Sequence, residues 1–421
     1  MKKHISGYLL ILSLSFLCGT VTLTGCSRKT AAVAFSGEEV YSPRYAEGFT
    51  IYGTDGASTV IEIRNPWQGA DGVNTQIFVS RNGETAPEGF AGQTIKAPLE
   101  RIVCFSSSHV AFLDALGKTD LIRGVSGADY ISSPAIREGY AAGKIRDVGY
   151  DTNVNYELLA SLRPDVVFIY GVGGENTAVT QKLADMNIPF MYIGEYVEEN
   201  PLGKAEWIAV FGEATDDRPQ AEAIFDGIAT RYETLRSAAE RSGEHPRVLI
   251  NAPYRDVWFA PGDDSYMVRL IEDAGGEYLF AGESGSASRP ISNEAAYMAA
   301  LDADVWLSPS QALSISELES QNPKFAGIRC VENGRVYNNT RRRTPQGGSD
   351  FWESGALHAD IVLRDLIICL APDFATRNAA LFSGDGTTAE ASDSDSPETI
   401  SWRGTPVENA GLQTYYFEKL Q

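Results

Sequence analysis

The chain is 421 residues long, 43% hydrophobic, and carries a formal net charge of −21. The length allows two or three domains, and the apolar share is ample for packed cores. The acidic balance argues against nucleic acid and against adhesion to anionic lipid, and reads first as a solvated, solubilising surface.

From the amino terminus, Lys2 and Lys3 precede an apolar run from Gly7 to Leu17. That run is too short to span a bilayer comfortably but suits a signal peptide. Leu23-Thr24-Gly25-Cys26 follows and resembles the bacterial lipobox, in which cleavage before the Cys and lipidation of its thiol tether an exported protein. Loss of residues 1–25 removes Lys2 and Lys3 and leaves a charge of −23. Residues 26–45 then form a lipidated tether. No other run approaches the roughly 20 apolar residues of a spanning helix. Residues 46–98 alternate through GFTIY, TVIEIRNPW and QIFVSR, with turns at Asp55-Gly56 and Asp71-Gly72. They predict a small antiparallel β-extension.

Arg101–Phe105 (RIVCF) opens a unit over 99–200, which later reads LASLRPDVVFIYG (159–171) and closes at Ile188–Ile193. Arg247–Asn251 (RVLIN) opens a second unit over 246–374, which later reads MAALDADVWLSPS (298–310). In both, a short helix passes through a turn and an Asp into an apolar strand, a faint internal repeat. Apolar strands alternating with helices indicate parallel sheets covered on both faces. Residues 201–245 join the units through helices, a shorter one at Pro201–Gly212 and a long one at Asp217–Arg241. In the long one, Ala221, Ile224, Phe225, Ile228, Tyr232 and Leu235 share a face. Its roughly 25 residues span on the order of 37 Å, enough to cross between domains. The fold class is α/β: two Rossmann-like lobes with central parallel sheets, one linking α-helix and the β-extension. A helix at Glu353–Leu370 ends the second lobe. Residues 375–421 form a tail with an acidic low-complexity stretch at 383–397 and an aromatic end, Thr414–Leu420, that packs back on the body.

Two lobes leave a cleft, and ligands favour strand carboxyl ends there. Of five cysteines, Cys18 leaves with the leader and Cys26 carries lipid. Cys104, Cys330 and Cys369 read as small buried hydrophobes, with room for one bridged pair.

The lobes, the linking helix, the loop Ser106-Ser107-Ser108-His109, the run Asn155-Tyr156-Glu157 through Pro164-Asp165-Val166-Val167, and Gly275-Gly276 together resemble the iron-complex and vitamin B12 substrate-binding proteins of ABC importers. The resemblance covers roughly 99–370. It implies capture of a metal chelate between the lobes and delivery to an ABC permease with its ATPase. It implies no catalytic step, no cofactor, a monomer, and an extracytoplasmic site on the periplasmic or outer face of a membrane. The family docks one glutamate from each lobe onto permease arginines, and the matching positions are Glu157 and Glu294. Paired exposed anions suit a two-fold partner. Without the resemblance both read as helix-start carboxylates.

Loops at the strand ends offer Ser107, Ser108, His109 and Tyr170 on the first lobe. The second offers Tyr254, Arg255, Trp258, Arg341, Arg342, Arg343 and Trp352. Aromatic rings supply flat faces, and arginines supply bidentate donors to carboxylate or catecholate oxygens. The arginine triplet favours a ferric siderophore, with haem or a corrinoid as alternatives. At His109-Val110-Ala111 the chain departs from the Thr-Glu frequent in the family, which weighs against a corrinoid. A bare metal ion would need several converging ligands, yet the mature chain offers only His109, His245 and His358, far apart. The rival class is an exported α/β hydrolase using Ser106–Ser108 with His109, though no G-x-S-x-G elbow is present.

Overall fold

The computed structural model describes residues 37–150, 153–171, 174–255, 257–309, 312–383 and 400–421. The leader, Cys18, Cys26 and most of the acidic stretch lie outside the described residues. Among the described residues no helix is long and apolar enough to cross a membrane.

The first sheet comprises β1 (Glu38–Tyr41), β2 (Phe49–Gly53), β3 (Thr59–Arg64), β4 (Asn74–Ser80) and β5 (Gln93–Lys96), ordered as in the chain. Period-two alternation turns Phe49, Ile51, Ile61 and Ile63 into the core. Two features differ from the sequence expectation. Strand β5 joins β4 in parallel, so the sheet is mixed; residues 81–92 supply the crossover that a parallel neighbour needs. Strand β1 also occupies part of the stretch read as tether. The reason is a buried carboxylate: Glu206 accepts from the Tyr41 hydroxyl at 2.9 Å and from the backbone N–H of Arg44, Tyr45 and Ala46 at 2.8–2.9 Å. Those bonds fix the chain well before residue 46.

The first lobe holds β6 (Ile102–Cys104), β7 (Ile122–Val125), β8 (Arg146–Asp147), β9 (Val166–Ile169) and β10 (Phe190–Tyr192), all parallel, in the order β10-β9-β6-β7-β8. The second lobe contains β11 (Arg247–Ile250), β12 (Pro253–Tyr254), β13 (Val257–Ala260), β14 (Glu277–Tyr278), β15 (Arg289–Ser292), β16 (Val305–Leu307), β17 (Val336–Asn338) and β18 (Glu418–Lys419). Its main sheet runs β14-β11-β16-β17-β18, with β18 antiparallel at the edge, and β12-β13-β15 form a small separate sheet. Both lobes start on a central strand and reverse direction beside it, at β6/β9 and β11/β16. Such switch points open a crevice at the carboxyl ends.

The repeat has a physical basis. Asp165 accepts from the backbone N–H of Arg101 at 2.8 Å, and Asp304 does the same for Arg247 at 2.8 Å. Each Asp locks the start of its strand to the lobe's opening strand, setting the register Val103↔Val167 in one sheet and Leu249↔Trp306 in the other.

The linking helix spans Arg218–Glu240 and buries Ala221, Phe225, Ile228, Tyr232 and Leu235, with Ile224 half-buried. It meets Ile208–Ala214 on the first-lobe side and Ala359–Leu370 on the second. Lys118 pairs with Asp217 at 2.9 Å, and Arg231 with Asp360 at 2.6 Å. The expected helix from Glu353 begins only at Ala359, after two short turns at Asp350–Trp352 and Ser354–Ala356. Within it, Arg364 and Asp365 are fully buried and paired at 3.0 Å. Arg364 donates to the carbonyls of Phe382 and Gln413, and Asp365 accepts from Tyr415 and Tyr416 N–H. This pair fastens the C-terminal segment, whose Tyr416 and Phe417 lie wholly in the core. No cysteine pair is bridged among the described residues: Cys104, Cys330 and Cys369 are buried free thiols. Burial pushes all three thiols up, Cys330 to about 12.

Candidate ligand-binding cleft

A cleft of about 870 Å³ lies between the lobes near the carboxyl ends of β10 and β11. The first lobe contributes Tyr196–Asn200, the second Asn251, Ser265, Tyr266, Arg269 and Trp352, and the N-terminal sheet Glu47, Arg64 and Trp67. Five aromatic side chains (Tyr45, Trp67, Tyr196, Tyr266 and Trp352) therefore line it. Two of its charged groups serve the scaffold. Glu198 is buried and accepts from Glu47 N, Gly48 N and the Trp207 indole, while Arg64 donates to Thr50, Glu62 and the carbonyls of Glu47 and Phe49. The remaining charged lining residues are Glu47, Glu199 and Asp264 against Arg269, a net acidic set.

Beneath this surface lies a buried polar cluster at the ends of β6 and β10. Ser106 caps the helix Ser107–Ala115, and Ser108 donates to Glu195 at 2.6 Å. His109 is fully enclosed among the rings of Phe168, Tyr170 and Phe211. Burial pushes its imidazole down to about 4, against the opposing pull of Glu195, so it is neutral near pH 7. Lys204 is buried as well. Its ammonium donates to the Glu195 carbonyl at 3.1 Å and sits 5.1 Å from the Tyr266 ring centre, a cation–π contact. Burial pushes its pKa down, and Glu195 and Glu198 push it back up.

The residues expected from sequence to touch ligand fall into separate groups. Trp352 lines the cleft and is exposed. Ser107 is half-buried; Ser108 and His109 are buried under the cleft rather than on its wall. Tyr170 is half-buried, its ring 6.4 Å from that of His109. Trp258 is a correction: it is fully buried in the second lobe, its indole donating to the Ile250 carbonyl at 3.1 Å and its ring packed on Trp306 and Phe325. The cause is the β12–β13 hairpin. In β13 Trp258 and Ala260 turn inward while Phe259 turns out. Tyr254 and Arg255 are exposed at the hairpin turn, where the guanidinium covers the Tyr254 ring at 5.2 Å. Arg341, Arg342 and Arg343 do not line the cleft. Arg342 instead bonds Asp350 at 2.8 Å and stacks on Tyr415 at 4.3 Å. Sequence reasoning missed Tyr45, Trp67, Tyr196 and Tyr266, because no local pattern marks a loop that reaches another domain.

Arg342 belongs to a second, smaller cavity of about 460 Å³, walled by the linking helix on one side. Asp114, Ser133, Glu353, His358 and Tyr415 are among its other walls. Here Glu353 of the second lobe accepts from Ser132 N at 2.6 Å and Ser133 N at 2.8 Å of the first, at the start of the helix Pro134–Ala141. Burial pushes its carboxyl up to about 8, opposed by the Ser132 amide and raised further by Asp350. Ser133 also donates to Asp114 at 3.2 Å. Gly348 packs against the Tyr130 carbonyl, where a Cβ would stand 2.0 Å away. The lobes are thus bonded directly as well as through the helix. Among the described residues no group of three or more His, Cys, Asp or Glu converges to hold a metal ion.

Glu157 and Glu294 are both exposed in the first turns of the helices Tyr156–Ser161 and Asn293–Ala300, capped by Asn155 and Ser292.

Residues 102–341 match the periplasmic binding protein family. A lipoprotein of Methanocaldococcus jannaschii is 28% identical over 67% of this chain and 67% of its own length. Among solved structures, a possible iron-binding (periplasmic solute-binding) protein from Staphylococcus epidermidis superposes with a TM-score of 0.51 at 18% identity, covering 65% of this chain and 99% of that one. A periplasmic heme-binding protein from Roseiflexus in its apo form gives 0.51 at 20% identity, covering 65% and 99%. At such identities the likeness concerns the two-lobe fold.

Proposed function

The chain belongs to the periplasmic binding protein family, and from that premise we propose that it is an extracytoplasmic solute-binding lipoprotein that captures a metal chelate between its lobes. The observation that carries this reading is the inter-lobe cleft of about 870 Å³ with five aromatic side chains on its walls. Its size and mixed polarity suit a compact organic ligand, and rings offer apolar faces with polar edges. A possible iron-binding protein and a heme-binding protein among the structural neighbours agree with a chelate, as a ferric siderophore, haem or a corrinoid. The arginine argument for an anionic siderophore weakens, since Arg342 is committed to Asp350 and Tyr415.

Delivery runs to an ABC permease with its ATPase, docked through Glu157 and Glu294. Cys26 tethers the monomer by lipid, and the lipoprotein relative agrees with export. The protein carries out no turnover. In support, the Ser108 hydroxyl is directed at Glu195 rather than at an imidazole, and His109 is enclosed.

The test is a tryptophan-quenching titration of the chain from Ser27 onward against ferric catecholate, ferric citrate, haemin and cyanocobalamin. Saturable quenching by one of them at submicromolar concentration is expected, on the order of −8 kcal/mol or better. Absence of binding by all four overturns the chelate reading.

A further inference from the structure

The N-terminal sheet lies outside the residues that match the family, yet its β3–β4 loop forms part of the cleft. Pro66 and Trp67 rest on the carboxyl ends of β9 and β10, where two glycines admit them. A Cβ on Gly171 would stand 2.9 Å from the Trp67 Cβ, and one on Gly194 would stand 3.4 Å from the Pro66 Cα. The Trp67 backbone pairs with Gly171 as an isolated parallel bridge, and its ring lies 5.0 Å from that of Tyr192. At the other end the sheet is riveted to the segment leading into the linking helix. Glu198 takes the Glu47 and Gly48 amides, Glu206 the Tyr45 and Ala46 amides, and Glu213 the Thr59 hydroxyl at 2.6 Å together with Arg81 at 2.8 Å. All three carboxylates are buried. The sheet is therefore rigidly part of the first lobe.

We propose that this sheet is a built-in third wall of the ligand cleft, and that Trp67 at its tip stacks on a flat face of the bound chelate. The inference rests on the reading of the cleft as a chelate site. The ring is only half-buried despite its packing on Tyr192, which leaves surface for a ligand. A wall fixed to one lobe also fixes the orientation in which a planar ligand enters.

The experiment repeats the four-chelate titration on Trp67→Ala, Trp67→Phe and Gly171→Ala, with thermal melting of each. The chelate that binds wild type is expected to bind Trp67→Ala about ten-fold more weakly and Trp67→Phe within about three-fold. Gly171→Ala, whose Cβ would meet the Gly174 carbonyl at 2.7 Å and the Trp67 Cβ at 2.9 Å, weakens binding in the same direction. Equal losses in Trp67→Ala and Trp67→Phe, or no loss in either, overturn the stacking role while leaving chelate binding intact. If no chelate binds wild type, the reading of the site falls, and this inference falls with it.

Discussion

The two cavities between the lobes differ in what they are made of. The larger presents rings and a net acidic set of charges, with Glu198 in its wall and Lys204 behind it both hydrogen-bonded within the protein. The smaller is walled by polar groups that already have partners in the protein: Glu353 with the Ser132 and Ser133 amides, Arg342 with Asp350, and Arg231 with Asp360 behind it. The segment from Asp350 to Ser354 separates them, sending Trp352 to one and Glu353 to the other. Polar groups that find partners within the protein hold it together, whereas apolar faces left half-covered are available to a ligand. On the proposed reading, one inter-lobe space binds and the other holds.

The largest effect should come from removing the support of the holding side. Tyr415 lines the smaller cavity and hangs by its amide from Asp365, which also neutralises the buried Arg364. Asp365→Ala leaves that guanidinium uncompensated, an expected loss of about 3–5 kcal/mol. Denaturant unfolding measures it, and a change under 1 kcal/mol would contradict the division of labour described above.

A smaller effect sharpens the comparison through pH. Burial raises the Glu353 carboxyl to about 8 in the folded chain, above its ordinary carboxylate value in the unfolded one. The native state then holds more protons between those limits. Its contribution to stability is fully present below the unfolded value and is lost as pH rises through about 8. Wild type should lose melting temperature from pH 5 to pH 8 more steeply than Glu353→Gln. Parallel slopes would mean that Glu353 does not titrate in this window. Chelate affinity of Glu353→Gln should stay near that of wild type, because the side chain faces the other cavity.

The sequence disclosed the parts whose causes are local. The linking helix follows from apolar spacing between a Pro-containing start and Gly243. The repeated Asp before an apolar strand marks the same backbone lock in both lobes, at Asp165 and Asp304. What stayed hidden depends on contacts distant in the chain. Trp67 reaches the cleft over Gly171, where a Cβ would stand 2.9 Å from its own. Trp258 was expected on the wall because it follows β11, but pairing of β13 with β15 sets its parity and turns it inward. Phe259, its neighbour, is the exposed one. A shift of one residue in a strand exchanges core for surface.

The smallest expected effect tests the most conspicuous sequence feature. Three consecutive arginines in an acidic chain invite an anion, yet the Arg342 guanidinium already gives its Nε–H to Asp350 and one face to the Tyr415 ring. Arg341 and Arg343 are exposed and absent from the cleft wall. Exposed charges that do not touch the ligand are screened at physiological salt, over a Debye length of about 8 Å. The double variant Arg341→Ala plus Arg343→Ala should therefore change chelate affinity less than about two-fold, or 0.4 kcal/mol, while Trp352→Ala weakens it measurably. If the arginine pair proved the stronger determinant, the ligand would lie nearer the Arg341–Arg343 loop than the aromatic walls, and the sequence-based preference for an anionic siderophore would regain its footing.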